Sequence, residues 1–82
     1  MKKIYESALN GWDEYAERIY IYTIENDDEF CNLIEMSHSE LQEHFEMYDS
    51  CYGVQPGAMY SVYNFEITRT HVVVSETVAY NV

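Results

Sequence analysis

Three histidines, two cysteines and fifteen carboxylates are the residues that could do chemistry in this chain of 82. A metal site is the first chemistry to weigh. His38, His44 and His71 stand among many acids, but no two are four residues apart, so the two-His spacing of a helical zinc site is missing. Cys31 and Cys51 lie twenty residues apart and form no Cys-x-x-Cys knuckle. Asp27-Asp28-Glu29 lacks the alternating ligands and central glycine of an EF-hand loop. These acids read better as the first turn of a capped helix, and the histidines as surface residues. No metal or other cofactor is expected.

Nucleophilic chemistry is no better supported. Neither cysteine sits in an elbow motif, and Asp49 close to Cys51 would raise a thiol pKa rather than lower it. Cys31 falls on the apolar side of an expected helix and is expected in the core. Paired carboxylates that cleave glycosides need a substrate cleft, and so short a chain leaves little volume for one. Gly11, Gly53 and Gly57 are scattered, so there is no phosphate loop. The chain is expected not to be an enzyme. Two cysteines are too few for a disulfide framework in so short a chain, and free thiols in a reducing cytoplasm are the simpler expectation.

What remains is charge. From Ile19 to Phe65 there is no Lys and no Arg, yet nine carboxylates fall between Glu25 and Asp49. Over the whole chain fifteen acids face four bases, a net charge of −11. Such a surface repels nucleic acid and membranes and attracts basic partners. Direct binding to DNA or RNA is therefore not expected. The chain is not an acidic tail either, because 48% hydrophobic and 16% aromatic residues suffice for a small single domain spanning 1–82. The basic start Met1-Lys2-Lys3 is followed by no apolar segment of a secretory signal. No apolar run approaches the roughly 20 residues that span a bilayer. A cytoplasmic protein is expected.

The elements that would position these acids can be read in order. Residues 2–9 suggest a short edge strand or an arm. Trp12, Tyr15, Ala16 and Ile19 follow helical spacing, which predicts a short helix over about 11–18. Ile19-Tyr20-Ile21-Tyr22-Thr23-Ile24 is β-branched and aromatic and predicts a central strand. Asn26 with Glu29, then Ser37 with Glu40, have the spacing of helix caps. They predict two short helices between about 27 and 49. Phe30, Cys31, Leu33 and Ile34 would be the apolar side of the first, and Leu41, Phe45 and Tyr48 that of the second. Residues 50–58 read as a loop with a type II turn at Gln55-Pro56-Gly57-Ala58. Alternation then predicts two strands, one carrying Tyr63, Phe65 and Ile67, the other Val72, Val74 and Val78, paired as an antiparallel hairpin. The fold class is α+β: a small, mostly antiparallel sheet of about three strands with two or three short helices packed on one face.

On these helices the acids Asp27, Asp28, Glu29, Glu35, Glu40, Glu43, Glu46 and Asp49 form the candidate partner-binding set. Acids three or four apart on a helix lie about 5–6 Å from one another. A DNA strand carries a charge about every 3.4 Å. Rows of helical carboxylates thus imitate phosphate rows coarsely. In length, charge, tyrosine content and acid-faced helices, the chain resembles the small acidic anti-defence proteins of phages and mobile elements, anti-CRISPR proteins in particular. The resemblance implies an inhibitor acting in the cytoplasm of a bacterial host. Its partner would be a basic nucleic-acid-binding protein such as a CRISPR effector nuclease, whose phosphate-holding Lys and Arg would meet the acids. The alternative expectation is a structural or regulatory module that works as a homodimer.

Overall fold

The computed structural model describes residues 1–12, 14–52 and 59–80. Six strands and two helices follow one another as β1 (Lys2–Glu6), β2 (Asn10–Trp12), β3 (Tyr15–Thr23), α1 (Asp27–Ile34), α2 (His38–Phe45), β4 (Ser50–Tyr52), β5 (Met59–Ile67) and β6 (His71–Tyr80). The strands form one antiparallel sheet in the order β1-β3-β6-β5-β4, with β2 pairing the start of β3. The last strand in sequence lies in the middle. It pairs with β3 from Thr23↔His71 to Tyr15↔Ala79, and with β5 from Ile67↔Val72 to Met59↔Tyr80. The architecture is α+β with an antiparallel sheet and two helices, as the patterning predicts, but the sheet is wider than three strands.

Residues 10–18 correct the sequence reading. They form β2 and the start of β3, not a helix. Gly11 is the physical reason. A Cβ placed there would come within 2.2 Å of the Tyr15 carbonyl oxygen and 2.3 Å of the Ala16 Cα. Only glycine lets the two backbones approach this closely, and that approach sets the β2–β3 pairing. The helical spacing of Trp12, Tyr15, Ala16 and Ile19 is coincidental. Residues 50–52, expected in a loop, are the short strand β4. The turn expected at 55–58 lies outside the described residues.

Both helices begin where the sequence places their caps. The Asn26 side chain accepts from the Glu29 backbone N–H at 2.9 Å. Ser37 and Glu40 form a full capping box, with Ser37 Oγ accepting from Glu40 N–H and Glu40 Oε1 from Ser37 N–H. Each bond satisfies a backbone donor that the first helical turn leaves free. The second helix stops at Phe45, short of the expected limit near 49. Glu46 takes the left-handed conformation at φ 58°, and Met47 N–H donates to the Gln42 carbonyl at 2.8 Å. That is a Schellman ending, a position that usually takes glycine.

The helices pack on one face of the sheet. Tyr20, Leu33, Leu41, Val72 and Val74 form the buried core, and Val72 and Val74 have no accessible surface. Burying a Val or Leu side chain contributes about 1.5–3 kcal/mol. Phe45 joins the layers, with its ring 5.0 Å from that of Tyr22 and 5.3 Å from that of Phe65. The helical contact stripes are narrower than expected. Leu33 is buried, but Cys31 and Ile34 are exposed. Cys31 is therefore a free surface thiol and not a core residue. Tyr48 is also exposed, because the helix that would have aimed it inward has already ended. No helix among the described residues is long and apolar enough to cross a membrane.

Candidate functional site: an acidic helical layer

The fold gives the eight acids of the sequence pattern two different kinds of surroundings. Asp27, Asp28 and Glu29 make up the first turn of α1, where the helix dipole favours negative charge. Glu29 is also a structural residue. Its Oε2 accepts from the Met1 ammonium at 3.1 Å, and its Oε1 from the Glu25 N–H at 3.1 Å. The ammonium, followed by that backbone donor, holds the Glu29 carboxyl below its ordinary value. Glu40 is committed to its capping box, and the Ser37 donors lower its pKa too. Both groups are thus carboxylates at neutral pH.

Asp49 ties α2 to the sheet. Its Oδ1 accepts from the Tyr63 N–H on the outer side of β5 at 2.8 Å. Its Oδ2 lies 3.2 Å from His38 Nε2 and accepts from Gln42 Nε2 at 3.4 Å. Its own N–H donates to Gln42 Oε1 at 2.6 Å. Asp27 has a single loose pairing, 3.6 Å to Arg69 with both side chains mostly exposed. The remaining four, Asp28, Glu35, Glu43 and Glu46, are exposed and have no hydrogen-bond or ion-pair partner among the described residues.

The acids on the strands are split between the two faces of the sheet: the register places Glu6 and Glu76 on the helix-bearing face and Glu17 and Glu66 on the other. Glu76 is internal to the fold. Its oxygens accept from Tyr20 and Tyr63 hydroxyls at 3.1 and 3.0 Å, with Arg18 NH1 3.6 Å away. Burial first, and then the bond to Glu76, pushes the Tyr63 hydroxyl well above its ordinary value. This phenol is a fixed donor and no proton carrier at neutral pH.

A cleft of about 310 Å³ opens on the helical layer. Asn26, Asp28, Glu29 and Asn32 of the α1 region line one part, Leu33 and Met36 supply apolar surface, and His44 of α2 completes it. Acceptor groups beside an apolar patch suit a long cationic side chain, whose stem packs while its head finds carboxylate and amide oxygens. Sequence reasoning missed Met36 and His44 as lining residues. A signal existed for part of it: Asp28 and Asn32 are four residues apart and so share one side of α1, whereas Met36 lies past the helix end. Among the described residues, no three His, Cys, Asp or Glu stand close enough to hold a metal ion.

No family model matches this chain. No curated protein and no solved structure matches it either.

Proposed function

We propose that the helical layer is a protein-binding surface for a basic, nucleic-acid-holding site of another protein, and that the chain inhibits that partner by occupying the place of phosphate. Anti-defence inhibition of a bacterial host nuclease, in the manner of anti-CRISPR proteins, is the reading that the sequence resemblance adds. The observation that carries the proposal is the set of four exposed carboxylates, Asp28, Glu35, Glu43 and Glu46, with no ion-pair partner among the described residues. Exposed like charges on one small domain cost stability, and a basic partner offsets that cost. The cleft beside Asp28 and Glu29 would take one Lys or Arg of the partner. Binding needs no cofactor, and long-range attraction speeds association at low salt.

The test is capture of partners from a bacterial host lysate at low salt with elution on a salt gradient, followed by inhibition of the captured nuclease. The triple variant Glu35→Lys, Glu43→Lys, Glu46→Lys is the control. Asp49 is left intact because it holds α2 to β5. Affinity should fall about 100-fold or more, with secondary structure unchanged. Binding that survives the reversal, or ignores salt, sinks the mimicry.

A further inference from the structure

The helices cover one face of the sheet and leave the other bare. The register sets five cross-strand rows on the bare face: Lys2, Thr23 and His71; Tyr5, Ile21, Val73 and Glu66; Ile19, Ser75 and Asn64; Glu17, Thr77 and Val62; and Tyr15, Ala79 and Tyr60. Tyr5, Tyr15, Tyr60 and Val62 are among the most exposed large apolar residues of the molecule. A solvated sheet face normally alternates to polar residues. Here four of the five rows carry apolar side chains, and among the described residues the charges are Lys2, Glu17 and Glu66 by register. We propose that this face is the interface of a homodimer, in which two copies pack sheet against sheet with their helical layers outward.

Area and charge select a second copy as the occupant. Three strands of nine or ten residues, with β1 and β2 together along the free edge of β3, span about 30 by 19 Å at ordinary strand rise and spacing. That is about 600 Å² per copy, the lower end of specific interfaces. A basic partner is drawn to the helical layer, not to this nearly neutral face. Two copies at −11 each repel unless their acids are kept apart. Back-to-back packing does this. The molecule is 15 Å across its shortest axis, so the acidic layers end on opposite outer sides of the pair. Their separation exceeds the Debye length of about 8 Å at physiological salt. The inference is independent of the proposed inhibitor role, since the two surfaces lie on opposite sides.

Sedimentation equilibrium at low and high salt tests it. The wild type should show twice the 9.7 kDa chain mass, with association tightening as salt rises. That trend is opposite to the one expected of the acidic surface. Val62→Lys on β5 and Tyr5→Lys on β1 are both at exposed positions and should keep the fold by circular dichroism. Each should weaken the dimer by about 100-fold or more, because the symmetric interface carries the change twice. Glu43→Lys should leave the dimer unchanged. A monomeric wild type at high protein concentration overturns the proposal, as does a dimer indifferent to both β-face substitutions.

Discussion

The sequence position of Asp49 groups it with the partner-facing acids, yet the structure makes it a clasp, and the two roles differ in a measurable way. Asp49→Ala removes the acceptor of the Tyr63 N–H and leaves His38 and Gln42 without their shared anchor. A hydrogen bond to an ionised group contributes about 1.5–3 kcal/mol when well shielded. The Asp49 side chain is 37% exposed, so solvent screening lowers the expected cost to about 1–2 kcal/mol. For a domain of this size that is a fall of about 4–16 °C in Tm. Asp49→Asn keeps a carbonyl oxygen for Tyr63 N–H and should cost less. Glu43→Ala, which removes an equally negative but unpartnered residue, should stay within about 0.5 kcal/mol of the wild type. Urea unfolding followed by circular dichroism measures all three. If Asp49→Ala is as stable as Glu43→Ala, the clasp is an accident of geometry, and the division into structural and free acids fails.

Two further outcomes follow from the helix ends. Glu46→Gly should stabilise the chain by about 0.5–1 kcal/mol, because glycine adopts the left-handed ending without the side-chain clash; a lower midpoint in thermal unfolding would contradict the Schellman assignment. Glu40 gives a pH signature. Its carboxyl pKa is lowered in the folded state, so its contribution is present above the unfolded value near 4.5 and is lost as pH falls through the folded one. The stability advantage of the wild type over Glu40→Gln should therefore be seen at neutral pH and be lost progressively as pH falls below the ordinary glutamate range. An advantage that grows on acidification would refute the capping box as its source.

The parts of the fold legible in the sequence are those governed by local chemistry. Asn26, Ser37 and Glu40 announce the helix starts because a cap involves residues only three apart. The β5–β6 hairpin shows through its alternation, with Tyr63, Phe65 and Ile67 facing the same layer as Val72 and Val74. Misreadings arise where a distant contact rescues a residue that breaks its local pattern. Arg18 stands on the inner face of β3 between Ala16 and Tyr20, which hides the strand's alternation. It is accommodated by the Tyr20 hydroxyl and by Glu76, which is far away in sequence. The close approach of Gly11 to Ala16 is likewise invisible until the chains pair. Asp27, Asp28, Glu29, Glu40 and Glu43 sit on helices as their pattern predicts, but Glu35, Glu46 and Asp49 lie past the helix ends; the demands made on Asp49, Glu29 and Glu40 were only partly legible. The Ser37-x-x-Glu40 spacing marks one of them, whereas the Tyr63 N–H and the Met1 ammonium come from other elements.

The place of β6 sets the order in which the molecule can be assembled during synthesis. A ribosome delivers β1, β2, β3, both helices, β4 and β5 before it delivers the strand that joins them. Until His71–Tyr80 has emerged, β3 and β5 share no partner, and the residues that seat Leu33 and Leu41, Val72 and Val74 among them, are missing. The acidic helices are therefore held only loosely on a growing chain. Pairings between strands so far apart in sequence also carry a large loop-closure cost and form slowly. The surface proposed to engage a partner is thus completed by one late event, the insertion of a single strand, which converts two separate halves into a sheet in one step.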